Sequence, residues 1–141
     1  MAPAPEYLST PETASFWAKT GDKDSPTRGL PLVQHMLDAG SVAARLWDTW
    51  LAPGLQKRFS EHLHLSMEDT RALVCWLAAT HDMGKATPEF SGQLDARRDE
   101  NLAVYRQRIE QQEFEFPEDL VTPTSGLRCP HSKYSQSILI H

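Results

Sequence analysis

Leu73-Val74-Cys75-Trp76-Leu77-Ala78-Ala79-Thr80-His81-Asp82-Met83-Gly84-Lys85 is the stretch on which the reading of this chain turns. Its apolar run ends in a histidine and a carboxylate placed side by side. Polar and charged groups are costly to bury unless they are paired or bind a metal. An imidazole next to a carboxylate suits a divalent transition metal. Two readings of the pair follow. Either ligands are delivered into a core, or a capping histidine and a solvated aspartate mark where a helix surfaces. Consecutive helical residues diverge by roughly 100°, so both side chains serve one site only if it lies beside the helix end.

The stretch belongs to a predicted helix that begins at Ser66-Met67-Glu68-Asp69, a capping-box-like start with serine at the cap and a carboxylate three residues on. It runs to about Met83 and is apolar on most sides in its second half, which predicts central burial. Gly84 is the expected C-terminal cap. Upstream, Leu32, Val33, Met36, Leu37, Val42, Ala43, Leu46, Trp47 and Trp50 recur in steps of three and four, predicting an amphipathic helix over Leu32 to Leu51. Pro53-Gly54 ends it, and a weaker helix follows over Leu55 to Leu63. Downstream, Thr87-Pro88-Glu89 is a helix start. Residues 95–113 read as a surface helix with Leu102, Tyr105 and Ile109 on one stripe. Glu113 to Phe116 alternates, but over too few residues before a proline for a strand. Val121 to Pro130 reads as a loop, and a last helix spans Ser132 to His141. Residues 1–15 read as a flexible lead-in, Phe16-Trp17-Ala18-Lys19 as an amphipathic patch, and Gly21 to Pro31 as a loop. The predicted fold class is all-α.

A chain of 141 residues is the size of one domain. Forty per cent apolar residues and four tryptophans argue against wholesale disorder. The formal net charge of −5, from 14 basic and 19 acidic residues, disfavours a generic basic nucleic-acid binder. It leaves a nuclease open, because bound divalent cations supply local positive charge. Cys75 and Cys129 make no disulfide scaffold. Cys75 is expected as a buried thiol and Cys129 in a loop, both reduced, which points to the cytoplasm. Met1-Ala2-Pro3-Ala4-Pro5-Glu6 does not resemble a signal peptide, and no apolar run approaches the ~18 residues of a membrane span.

Of the other histidines, His35 lies one turn into the first long helix among apolar neighbours. A lone histidine there is ordinarily a satisfied core residue. His81-Asp82 gives it a partner and shifts the reading toward a ligand. His131 opens the last helix and His141 ends it, ten residues apart and so not a one-turn chelating pair. His62 and His64 flank Leu63 in a polar connection and read as surface residues. Lys85 suits the negative end of a helix dipole, or it reaches back to stabilise a phosphate. No Walker-type loop, Cys-x-x-Cys or nucleophile elbow is present.

His81-Asp82-Met83-Gly84-Lys85-Ala86-Thr87-Pro88-Glu89-Phe90 resembles the signature of the HD nuclease domain of type I CRISPR effectors. Trp17-Ala18-Lys19 is similar to an element near that domain's start, and Leu30-Pro31-Leu32-Val33-Gln34-His35 to the element carrying its first histidine. Histidine and aspartate alone are shared by the wider HD phosphohydrolase superfamily, whereas the extension from Gly84-Lys85-Ala86-Thr87-Pro88 to Phe90 resembles the CRISPR branch much more specifically. The resemblance implies an HD-domain helical bundle over residues 16–141, incomplete at its C-terminus. It implies metal ligation by His35, His81, Asp82 and His131, with Asp82 bridging and Lys85 in the active site. The cofactor implied is one or two manganese, iron, cobalt or nickel ions. The activity implied is hydrolysis of single-stranded DNA, with a CRISPR surveillance complex and a helicase domain of the same parent protein as partners. The family continues with a histidine pair and a distant aspartate, and neither follows His131 here. Two other readings stand beside it: an HD phosphohydrolase acting on nucleotides, and a non-catalytic fragment that docks on the helicase or surveillance complex.

Overall fold

The computed structural model describes residues 10–19, 29–87, 90, 100–112, 114 and 131–140. Helices dominate. A 3-10 turn at Thr13–Ser15 precedes β1 (Trp17–Lys19) and β2 (Leu30–Pro31). Then come α1 (Leu32–Thr49), α2 (Pro53–Leu63) and α3 (Met67–Thr80). A second 3-10 turn (Met83–Ala86), α4 (Glu100–Gln111) and α5 (His131–Ile140) complete the order. The all-α class is borne out, with one small antiparallel ribbon where the sequence showed only an amphipathic patch and a loop. Two residues of β2 carry no readable alternation, so periodicity had nothing to detect. The expectations for residues 1–9, 20–28, 88–89, 91–99, 113, 115–130 and 141 lie outside the described residues. No helix among the described residues is long and apolar enough to cross a membrane.

The fold divides into two compact units, Met36–His81 and the rest. In Met36–His81, the predicted cap at Ser66 forms: its hydroxyl accepts from the Asp69 N–H at 3.0 Å, and Glu68 and Asp69 occupy the first turn of α3, where carboxylates suit the dipole. Gln56 on α2 donates to the Trp47 and Leu51 carbonyls at 2.7 and 3.0 Å, satisfying groups that the end of α1 leaves without helical partners. Small residues let the helices approach. A Cβ at Gly40 would lie 3.3 Å from the Ala79 Cβ, so α1 meets α3 with almost nothing between them. Thr70 on α3 reaches the Ser60 hydroxyl of α2 at 3.2 Å. Arg71 grips Asp48 with two 2.7 Å hydrogen bonds, and its guanidinium holds that carboxyl below the usual carboxylate range.

One expectation fails in this unit. The second half of α3 is not centrally buried: Trp76 is 50% and Leu77 47% exposed. An all-round apolar helix is buried only if neighbours surround it, and within the unit α1 and α2 cover only part of its surface. Cys75 is accordingly half-buried rather than buried. Apolar faces of α1 and α2 are open as well, at Val42 and Leu46 and at Leu55, Phe59 and Leu63.

The other unit has a conventional core of Trp17, Phe90, Tyr105 and Ile109. Trp17 and Phe90 meet with ring centroids 5.0 Å apart. The stripe read on the polar helix is real at Tyr105 and Ile109, and Ile109 is completely buried. The Leu32 N–H donates to the Phe16 carbonyl at 2.9 Å, so α1 starts directly from the ribbon.

Gly40 makes the close helix contact possible, which yields a stability prediction. Gly40→Leu should lower the denaturant midpoint by an amount equivalent to about 1–3 kcal/mol, as overpacking of a tight contact does. An unchanged midpoint would show that α1 and α3 do not meet at this distance.

Candidate metal centre

Helix α3 stops at Thr80, earlier than the sequence suggested, with His81 as its cap residue. Asp82 leaves helical geometry at φ −106° and ψ 8°, and the Lys85 N–H closes back onto the Asp82 carbonyl at 2.9 Å. That tighter ring makes Met83–Ala86 a 3-10 turn. Gly84 is therefore not the cap of α3. It sits buried inside the turn, and its N–H donates to the Ser135 hydroxyl of α5 at 2.8 Å. The capping expectation missed this because the need at Gly84 is close approach by another helix, which composition does not reveal. The expected helix start at Thr87 is supported at its first residue, whose hydroxyl accepts from the Phe90 N–H at 3.4 Å.

The turn carries Asp82 into the interior, where only 4% of the residue is exposed. Its Oδ2 meets two cationic or potentially cationic partners. Lys85 Nζ donates to it at 2.6 Å, and His35 Nε2, from the first turn of α1, lies 2.9 Å away. Lys85 is itself 8% exposed and donates also to the Ala18 carbonyl of β1 at 3.1 Å. A buried carboxylate so supplied meets the condition under which burying charge is tolerable. The structure thus brings His35 beside Asp82, the partner that the sequence offered it.

His81 is exposed, and its Nδ1 lies 2.7 Å from the Ala78 carbonyl. A carbonyl oxygen only accepts, so Nδ1 carries the proton and Nε2 of the neutral ring keeps its lone pair. Hydrogen bonding through the second nitrogen is how metal-binding histidines are oriented. One donor atom each from His35, His81 and Asp82 lies within 4.8 Å of the others. Two imidazoles and one carboxylate at this separation could hold one divalent transition metal. The donor set fits that cofactor.

The remaining expectations divide. The ligand role expected of His131 concerns a side chain outside the described residues, and His141 lies outside them altogether. The backbone places His131 first in α5, four residues before Ser135. Ser135 is 3% exposed against the turn. His62 and His64 are exposed, as expected, and His64 adopts the left-handed conformation that closes α2. Two participants were missed in the sequence: Ser135, and the Ala18 carbonyl. A backbone carbonyl has no sequence signature.

A family model described as Cas3, HD domain, matches residues 17–141. The chain is 36% identical over 81 residues to the CRISPR-associated nuclease/helicase Cas3 of Streptococcus thermophilus, covering 55% of this chain and 9% of that protein. A solved structure titled as a CRISPR-associated protein superposes with a TM-score of 0.67 at 30% identity, covering 90% of this chain and 12% of that one. The chain thus spans about a tenth of the length of these relatives.

The Gly84–Ser135 contact yields a prediction independent of any metal. Ser135→Ala leaves a buried N–H without its acceptor and should cost about 1–3 kcal/mol of stability in chemical denaturation. A loss indistinguishable from zero would mean that α5 does not clasp the turn through this hydroxyl.

Proposed function

The chain belongs to the Cas3 HD-domain family, and from that premise we propose that it carries the N-terminal part of a metal-dependent nuclease centre acting on single-stranded DNA. The observation that supports this most is the convergence of His35 and His81 on a buried Asp82 whose charge Lys85 balances. In the proposal His35, His81 and Asp82 hold one or two ions of the manganese, iron, cobalt or nickel kind. His131, the first residue of α5, is the proposed further ligand. When bound, such an ion supplies a Lewis acid for the scissile phosphate and lowers the pKa of water.

This chain's own groups do the rest. The Ala78 carbonyl fixes the tautomer of His81, so that Nε2 is the ligating atom. The buried turn and Lys85 hold the Asp82 carboxylate oriented and away from solvent. The exposure of His81 leaves one side of the centre open to a polyanion. The net charge of −5 makes the bound cation, rather than a basic surface, the element that attracts phosphate. The CRISPR surveillance complex and a helicase domain of the same parent protein are the proposed partners, and the cytoplasm is the proposed compartment.

A second reading is supported by the open apolar faces of α1 and α2. Exposed apolar surface of this kind marks interaction sites, and in this reading the chain docks on the helicase or surveillance complex without turnover.

The test is cleavage of circular single-stranded DNA by this chain with manganese or nickel. Cleavage should depend on metal and fall at least about 100-fold in His81→Ala and Asp82→Ala, the upper end of what losing a mere supporting group costs. Equal activity in both variants contradicts the assigned centre. Release of inorganic phosphate from nucleotides without DNA cleavage points instead to a nucleotide phosphohydrolase. No turnover on either substrate, with retention on a helicase or surveillance complex in pull-down, supports the docking reading.

A further inference from the structure

Resting on the metal-centre reading above, we propose that Lys85 is a positioning residue that acts on Asp82, and that the three-residue strand β1 is thereby part of the metal centre. The first support is the ammonium's location. Lys85 Nζ donates to Asp82 Oδ2 at 2.6 Å and to the Ala18 carbonyl at 3.1 Å, and the residue is buried. Its nitrogen also lies 5.9 Å from the centroid of the Phe90 ring, which packs on Trp17. A lysine serving to neutralise a phosphate presents its ammonium where the polyanion passes. This one is enclosed by a carboxylate, a backbone carbonyl and an aromatic ring.

The second support is what β1 holds at its other end. The Phe16 carbonyl, two residues before Ala18, accepts from the Leu32 N–H at 2.9 Å. That bond starts α1 and sets His35 three residues further on, in its first turn. Two carbonyls of one short segment therefore anchor both buried ligand-bearing pieces: Phe16 anchors the helix with His35, and Ala18 anchors the turn with Asp82 through Lys85. Pairing of Trp17 with Pro31 keeps that segment extended. The 2.9 Å approach of His35 to Asp82 is the consequence. Because the acceptor at position 18 is backbone, the tether depends on the strand and not on the side chain there.

The experiment compares the full 141-residue wild-type chain with Lys85→Met and Asp82→Ala, using cobalt(II) titration without nucleic acid and amide hydrogen exchange without metal. Loss of an outer partner of a metal ligand weakens metal binding about 10–100-fold, and that is the expected result for Lys85→Met. Exchange should quicken at β1 and Leu32 while amides of α2 and α3 keep their wild-type rates. Lys85→Cys treated with bromoethylamine rebuilds a lysine-like ammonium and should recover cobalt affinity. Wild-type chain treated alike controls for Cys75 and Cys129. Should Lys85→Met fail to fold, the aminoethylated Lys85→Cys protein carries the test: folding without recovered cobalt binding overturns the proposal. Cobalt binding by Lys85→Met equal to or tighter than wild type, with Asp82→Ala inert, overturns it too. If the wild-type chain binds no cobalt, the metal-centre reading fails separately. The tether to β1 then stands or falls on the metal-free exchange, and unchanged rates at β1 refute it.

Discussion

A single buried carboxylate oxygen organises this fold. Asp82 Oδ2 is shared by Lys85 at 2.6 Å and His35 at 2.9 Å, in a place where an uncompensated charge would be prohibitive. Each partner arrives from a different element, so the oxygen is a junction between the 3-10 turn, the start of α1 and, through Lys85, β1. The Gly84 N–H adds α5 from the other side of the same turn. Four short backbone segments thus meet within a few residues of Asp82. The core of Trp17, Phe90, Tyr105 and Ile109 provides the apolar packing beneath them. Polar convergence of this kind is high-stakes: satisfied, it fixes one arrangement, and removal of one member exposes the rest to an unpaired burial.

Much of this was legible in the sequence, and the reason is periodicity. Helices α1 to α3 follow from apolar spacing, the Ser66 cap and Pro53, all of which act through local geometry. His35, His81 and Asp82 were legible as candidates because their residue types are chemically conspicuous in apolar surroundings, and the structure brings their donor atoms together. What escaped was whatever depends on a neighbour distant in sequence. Central burial of α3 was inferred from its composition, yet burial is a property of the surroundings, and Trp76 and Leu77 remain half-exposed. Gly84 looked like a helix cap because glycine ordinarily serves there, while its actual constraint is set by Ser135, fifty-one residues away. The ribbon of β1 and β2 was too short to show alternation.

Lys85 illustrates how one residue type supports different chemistry at the same position. From sequence its alternatives were a solvated lysine at a helix end and a phosphate contact. Its burial, and its two acceptors, fit neither well. They suit a cation that orients the Asp82 carboxylate. This also gives physical content to the family resemblance at both ends. Trp17-Ala18-Lys19 and Gly84-Lys85-Ala86 are far apart in sequence but joined by one hydrogen bond.

The central claim is that His35, His81 and Asp82 form a metal centre around this junction. Anomalous diffraction from crystals of the chain grown with manganese tests it most directly. The account predicts an anomalous peak ligated by the Asp82 carboxylate and by both imidazoles, with His81 bound through Nε2. Manganese bound at other residues while these three stay clear of metal would contradict it.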